Sequence, residues 1–429
     1  MLNLNSKLKE LEEKGGKINI GLVGTGQMGR GIVDRVLRMR GMNIPIIANR
    51  TIERARETFE LAGISPQNVY EVNTVSQAEK AIQQGKYAVT EDFEIVTKVL
   101  PVDVIIEATG VPEVGANTAL KSIYNGKHVV MLNVEADVTV GPILKKMADS
   151  AGIVYTGSAG DEPGAIKELF DFADSMGFKV VAAGKGKNNP LNREANPDNM
   201  RPEAETRGIN PRMLTSFVDA TNTMVELTAV ANATGLIPLC RGLVGPTGAV
   251  KDLPKIFSLK EDGGILDKCG VVDFVFGIAP GVFIVVTTDS PVTKQIMSYI
   301  SLGDGPNYVF YRPYHLVCVE TPLSAARAVL YKEPTISPIG APVAETITVA
   351  KKDLKAGEHL DGIGGYTVYG LIDTAENAKK ENALPIGLIN ENTVLKQDVK
   401  KGQAISYNMV ELENDSTILQ LRRIQDKFF

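Results

Sequence analysis

Ile18-Asn19-Ile20-Gly21-Leu22-Val23-Gly24-Thr25-Gly26-Gln27-Met28-Gly29 is the stretch that decides the fold of this 429-residue chain. Its first half is an apolar run of strand length, and its second half reads GxGxxG. Residues 30–40 then place Ile32, Val33, Val36 and Leu37 at helical spacing, and residues 44–48 form a second strand ending at Asn49-Arg50. Strand, glycine loop, helix and strand within roughly 30 residues give the glycine pattern the context that makes it specific. Gly24 permits the tight turn, Gly26 lets a pyrophosphate approach the backbone, and Gly29 lets helix and strand pack closely. The helix start turns amide donors and a positive dipole end toward phosphates. Gly24, Thr25, Gly26, Gln27, Met28 and Gly29 are therefore expected to bind a dinucleotide.

The alternation continues. Strands are expected at 102–107 and 128–132, with helices at 112–125 and 140–151, which predicts a parallel, doubly wound Rossmann sheet. Residues 77–84 read as an insertion, with a short strand near 87–89. The turn Ala108-Thr109-Gly110 lies where such a sheet passes the nicotinamide side, and Asn133 and Glu135 are expected near it. Glu135 either contacts cofactor or substrate or acts from behind. The second strand does not end in the acid that NAD-preferring sites use for the ribose hydroxyls. It ends in Asn49-Arg50-Thr51, with Arg54 one helical turn on. Arginine pairs with a 2′-phosphate, so NADP(H) is the expected cofactor unless Arg50 and Arg54 are simply solvated charges.

Composition excludes several classes. Forty-six basic against 51 acidic residues give a net charge of −5, which argues against nucleic acid as the main partner. Hydrophobic residues at 44% allow large cores, and the length suggests about three domains. Cys240, Cys269 and Cys318 are scattered and odd in number, which fits a reducing cytoplasm and no disulfide framework. With His128, His315 and His359 far apart, a His/Cys zinc site is not expected; oxygen-ligated Mg²⁺ or Mn²⁺ remains open. The N-terminal stretch lacks a signal-peptide pattern, and Leu4, Leu8 and Leu11 suggest a short amphipathic helix. The most apolar stretch, 271–288, is interrupted by Asp273, Pro280 and Gly281, so it reads as two buried strands rather than a membrane span.

The middle region opens with a strand at 153–156 and the turn 157–164, followed by a helix at 165–176. A strand at 179–183 leads into a glycine-flanked loop carrying Lys185, Lys187, Asn188 and Asn189. Residues 193–212 are polar and read as a long loop, a candidate lid, before one long helix at 213–233. Near residue 340 the texture changes to short strands and turns. The expected division is a dinucleotide domain (1–155), a catalytic and dimerisation domain (156–340) and a small, mostly β module (341–429).

Three blocks carry a family resemblance. The glycine loop with Met131-Leu132-Asn133-Val134-Glu135 resembles the homoserine-dehydrogenase-type nucleotide domain. GDEPG (160–164), GKGKNNPLN (184–192), SFVDATNTMVELTAVANATGL (216–236) and YRPYHL (311–316) resemble the 1-deoxy-D-xylulose 5-phosphate reductoisomerase-like family, type II. VAKKDLKAGEHLDG and LKQDVKKGQAIS resemble an SAF domain of β-clip type. The resemblance implies NADPH-dependent rearrangement and reduction of a small sugar phosphate in isoprenoid precursor synthesis, or the related oxidation of a branched sugar acid such as apionate.

Such chemistry needs charge at a developing enolate oxygen, a proton shuttle and an anion clamp. Lys185 and Lys187 suit the first two roles, unless both are solvated loop lysines. Asp161 and Glu162 sit at a strand-to-helix junction, as metal ligands, as acid and base, or as helix caps. His315 is a candidate proton carrier or a structural group. Asn188, Asn189 and Arg312 are the expected substrate contacts, with Arg193, Arg201, Arg207 and Arg212 competing as anion clamps. Homoserine dehydrogenases place Asp and Lys four apart on a helix. Here Asp219 has Thr223 at that offset, which argues against homoserine chemistry, while Asn222 stands where many reductoisomerase-like relatives carry Lys, which counts against the named reductoisomerase activity. The expectation is a cytoplasmic homodimer or higher homo-oligomer acting on a small anionic substrate. A plain dehydrogenase and a non-catalytic NADP(H) sensor are its rivals.

Overall fold

The computed structural model describes residues 3–429; Met1 and Leu2 of the N-terminal stretch lie outside them. From the N-terminus the elements are α1 (Leu4–Glu13), β1 (Ile18–Val23), α2 (Gln27–Val36), β2 (Met42–Ala48), α3 (Ile52–Leu61), β3 (Val69–Glu71) and α4 (Val75–Gln83). Next come β4 (Tyr87–Thr90), α5 (Phe93–Lys98), β5 (Val104–Glu107), α6 (Pro112–Tyr124), β6 (His128–Met131), α7 (Val134–Ser150) and β7 (Tyr155–Gly157). The chain continues through α8 (Glu162–Ser175), β8 (Lys179–Lys187), α9 (Pro197–Arg207), α10 (Pro211–Val218), α11 (Thr221–Thr234), β9 (Ile237–Pro238) and α12 (Leu253–Ile256). Then follow β10 (Val271–Phe276), β11 (Val282–Thr287), α13 (Pro291–Tyr299), β12 (Asn307–Arg312) and α14 (Thr321–Leu330). The last elements are β13 (Ala344–Ala350), β14 (Val368–Thr374), α15 (Ala375–Lys380), β15 (Val394–Leu395), β16 (Val410–Glu411) and α16 (Thr417–Phe428). The fold is α/β. Its contacts form two units: one runs up to Gly164 and includes Leu316–Ser337 and Leu421–Phe428, the other holds Ala165–His315 and Pro338–Gln420.

The first unit is the expected Rossmann sheet, seven parallel strands in the order β3-β4-β2-β1-β5-β6-β7. In register, Val23 lies opposite both Ala48 and Glu107, so β1, β2 and β5 end level and bring the glycine loop, Asn49 and Ala108 side by side. Ile20, Leu22, Ile32, Val33 and Val36 are buried together, each contributing about 1.5–3 kcal/mol. Leu4 and Leu8 of α1 join that core, as the helical spacing predicts, and so do Ala325 and Ala326 of α14. The insertion at 77–84 is α4, and the strand after it, β4, enters the sheet between β3 and β2.

The second unit has a mixed five-stranded sheet, β12-β11-β8-β10-β9, with β8 at its centre, parallel to β10 and antiparallel to β11. Leu227, Val230 and Phe274 belong to one core, and Leu253, Phe257 and Phe283 to another. The antiparallel pair β13-β14 packs on α11. The C-terminal stretch has the expected short strands, but it also carries α15 and the twelve-residue α16.

Three local expectations are corrected. The polar stretch 193–212 is not a loop. Asn196 and Asn199 form a reciprocal capping box, Pro197 starts α9, and Gly208 ends it with φ +64°. A small core of Ala195, Ala204, Leu214 and Val218 holds it down, which a low average hydropathy conceals. The expected single helix at 213–233 is broken at Asp219-Ala220, where Ala220 takes φ +65°. The expected strand 179–183 continues through Lys187, so Lys185 and Lys187 lie in the sheet rather than in a loop. Among the described residues, no helix is long and apolar enough to cross a membrane.

Candidate active site

The dinucleotide loop is built by close backbone approach. A Cβ on Gly24 would lie 2.8 Å from the Ala108 carbonyl oxygen, and one on Gly29 would collide with the Gly24 carbonyl. At Gly26 the opposite holds: a Cβ would meet nothing within 4 Å among the described residues. That is the place the fingerprint reserves for a pyrophosphate. The α2 N-terminus has no side-chain cap, and Gly26 and Gln27 are exposed beside it. The buried Thr25 hydroxyl has no hydrogen-bond partner among the described residues, while the Thr25 amide donates to Asn49 Oδ1 at 3.1 Å. Open space, free amides and an unmatched buried hydroxyl fit a dinucleotide. Arg50 and Arg54 are exposed at the end of β2 and the start of α3.

Ala108, Thr109 and Gly110 follow β5 as expected. Beneath them lies a residue that the sequence did not single out. Glu107 is fully buried, accepts from the Thr109 amide at 2.8 Å and from the Thr109 hydroxyl, and is pushed by burial up to about 7. Asn133 caps α7 through the Ala136 amide and donates to the Val111 carbonyl at 3.0 Å. Burial raises the Glu135 carboxyl, and it raises Asp137, which accepts from Tyr155, to about 6. Glu107 could have been noticed as the one acid closing an apolar strand; Asp137 had no comparable signal.

In the second unit, β8 carries the lysines on one face. Gly184 and Gly186 alternate with them, because a Cβ on either would strike backbone, at Asp273 and Ala279 respectively. Lys185 is buried against Glu226 of α11 in an ion pair, with side-chain exposures of 8% and 5%. Glu226 also accepts from Asn222 at 2.5 Å, one helical turn earlier. Lys187 is buried and donates to the Phe217 carbonyl at 2.6 Å. Burial, then the neighbouring Lys185 cation, lowers its ammonium to about 8. Asp219 is paired with Lys351 at 2.8 Å, and its carbonyl accepts from Arg193, which stacks on Tyr369. The arrangement holds an amine near its neutral point beside a fixed cation, as proton transfer and oxyanion stabilisation require.

The other expected residues lie on other elements. Asp161 is buried in the turn before α8, and Glu162 is the first residue of that helix. Ser324 and Thr321 of α14 pin this turn: the Ser324 hydroxyl accepts from the Ala159 amide at 2.8 Å, and the Thr321 hydroxyl meets the Ser158 hydroxyl at 2.8 Å. Asn188 is exposed past β8, and Asn189 accepts from Arg207 at 3.1 Å. Arg312 pairs with Glu168 at 3.0 Å and stacks on Tyr314, while His315 is half-buried just after β12. Of the competing arginines, Arg201 and Arg207 pair with local carboxylates and Arg212 donates to the Asp361 carbonyl, which leaves Arg193 as the one joined to the lysine cluster. Glu226 was detectable as the lone acid in an apolar helix, but nothing in the sequence marked Lys351.

Two family models match successive parts of the chain. Residues 24–155 match the family model for the NAD-binding domain of homoserine dehydrogenase, and residues 160–321 match that for the catalytic domain of oxidoreductase DRL. The chain is an NAD(P)-dependent oxidoreductase. A probable dehydrogenase from Thermotoga maritima is similar in structure at 13% identity and TM-score 0.43, covering 75% of this chain and 91% of its own. The NADPH complex of 1-deoxy-D-xylulose 5-phosphate reductoisomerase from Zymomonas mobilis gives 15% identity and TM-score 0.37, covering 51% and 59%. Biliverdin reductase from Synechocystis sp. PCC 6803, in complex with biliverdin and NADP+, gives 12% and 0.32, covering 52% and 60%. These likenesses are too loose to assign a substrate. No curated protein matches the chain.

Proposed function

We propose that the chain is an NADP(H)-dependent reductoisomerase-type enzyme acting on a small anionic sugar derivative, a sugar phosphate in the first instance. The observation that supports this reading is the buried Lys187 amine, held near neutrality beside the Lys185–Glu226–Asn222 chain. A nicotinamide dinucleotide held by the Gly24–Gly29 loop would supply or accept the hydride. Lys187 Nζ takes and returns a hydroxyl proton, and the Lys185 cation, fixed by Glu226, stabilises an enolate oxygen. Arg50 and Arg54 favour the 2′-phosphate of NADP(H). Asp161 and Glu162 are the proposed ligands of Mg²⁺ or Mn²⁺, and Arg193 joins Arg312, Asn188 and Asn189 as a candidate contact for the substrate anion.

The three-part division at residues 155 and 340 and a cytoplasmic homo-oligomer belong to the same proposal. Exposed Val292, Ile296 and Tyr299 on α13 support self-association, which light scattering tests. For the activity, NADPH oxidation is followed with 1-deoxyxylulose 5-phosphate and Mg²⁺ or Mn²⁺, and NADP⁺ reduction with apionate. Turnover of the first supports the reading. Turnover of apionate alone moves the substrate to branched sugar acids. Tight NADPH binding with no turnover contradicts it and leaves an NADP(H) sensor.

A further inference from the structure

The turn between α10 and α11 lies between the anchors of both β8 lysines, Phe217 near the end of α10 and Glu226 in α11. Lys187 is bound to the Phe217 carbonyl, and Lys185 is bound to Glu226, which Asn222 steadies. This turn is not self-supporting: it contains Ala220 at φ +65°, in the left-handed region that non-glycine residues avoid. Asp219 stabilises it locally, accepting from the Thr221 amide at 2.8 Å. The other partner of Asp219 comes from far along the chain. Lys351, the residue after β13, pairs with it at 2.8 Å, with side-chain exposures of 4% and 0%. Lys351 also donates to the Ala195 and Gly365 carbonyls, at 2.8 and 2.7 Å. The Ala195 bond reaches the segment that carries Arg193, whose side chain closes on the Asp219 carbonyl.

We propose that Lys351 is a positioning residue for the lysine pair: by fixing Asp219 and the neighbouring 193–195 segment, it holds the turn that places Lys185 and Lys187. The C-terminal stretch thereby has a role in the active centre without supplying a group that touches substrate. The catalytic meaning of the placement rests on the proposed function; the placement itself does not. A buried pair of this kind is costly to break one-sidedly, because the partner is left as an uncompensated buried charge. Removing both charges together avoids that cost and leaves the net charge of the pair unchanged. The Asp219 anion itself holds the Lys187 ammonium up, so losing its field moves Lys187 down, and an upward movement reports the position of the turn.

The test is made on the full-length protein. Lys187 is surrounded by Lys185, Glu226, Arg193 and Asp219. Its titration is read by labelling with an amine-specific acylating reagent across pH and peptide mass spectrometry. In the wild type, Lys187 is expected to be half-labelled near pH 8. In K351Q/D219N the loosened turn admits water to the ammonium, and half-labelling moves up by at least one pH unit toward the ordinary lysine range. In K351R the wild-type value returns. R241A is the control: it cuts the ion pairs of Arg241 with Asp373 and Glu381, which also tie the C-terminal stretch down but lead to neither lysine. It is expected to leave Lys187 unchanged. An unmoved Lys187 in K351Q/D219N, or an equal movement in R241A, overturns the proposal. If the labelling shifts as expected but the wild type turns over no sugar, the functional reading fails and the positioning role stands. With an active wild type, K351Q/D219N lowers kcat at least tenfold and keeps the dissociation constant for NADPH.

Discussion

The dinucleotide loop and the lysine cluster hold their groups by different means. Around Gly24 the work is done by backbone: three strands end level, two glycines remove side chains that would collide, and the partners span residues 24 to 49 and 108. Around Lys187 it is done by side chains from β8, the 217–226 turn, Arg193 and Lys351, brought together over more than a hundred residues. The first kind of site tolerates loss of a side chain and is sensitive to added volume. The second is sensitive to the loss of any one charge.

The largest expected break in that contrast is Glu226→Gln. It leaves the buried Lys185 without its anion and costs about 3–5 kcal/mol of stability in urea unfolding. Gly26→Val is the counterpart. Its Cβ enters open space, so the unfolding midpoint holds while NADPH affinity falls about 100-fold by fluorescence titration. Gly29→Val, three residues on in the same motif, is expected to lose stability instead, because its Cβ strikes the Gly24 carbonyl. Arg50→Glu is expected to weaken NADPH roughly tenfold and spare NADH; unchanged preference would place the 2′-phosphate elsewhere.

A further effect is a pH dependence within the first unit. Burial, aided by the Lys332 cation, holds His128 down at about 4, below its unfolded value. The stability this ring contributes is complete above about pH 6.5 and is lost as pH falls through 6.5 toward 4, about 2 kcal/mol by pH 4.5. Glu107 and Asp137 act in the opposite sense: raised to about 7 and about 6, they favour the folded state as pH falls through those values. His128→Gln is therefore expected to flatten the acid limb of a melting-temperature profile. An unchanged limb would show that the ring titrates normally.

What the sequence disclosed follows the same line. The glycine loop, the parallel sheet implied by repeated strand–helix units, and α1 were legible because each rests on a short-range pattern. Lys185 and Lys187 were legible as residues but not as strand residues, since only the approach of Asp273 and Ala279 explains why glycines alternate with them. The helix within 193–212 is hidden by the average polarity of the stretch, because the burial of Ala195, Ala204, Leu214 and Val218 decides it. Lys351 stands among neighbouring lysines of the same segment, and only long-range burial distinguishes it from Lys352.

The central claim is that Lys187 does chemistry on a substrate while the glycine loop binds the cofactor independently. Its most direct measurement is Lys187→Ala, with turnover and NADPH affinity determined on the same preparation. The account predicts a fall in kcat of about 10³-fold or more, with the dissociation constant for NADPH within about twofold of wild type. A variant that retains turnover, or that loses NADPH binding in proportion, would contradict it.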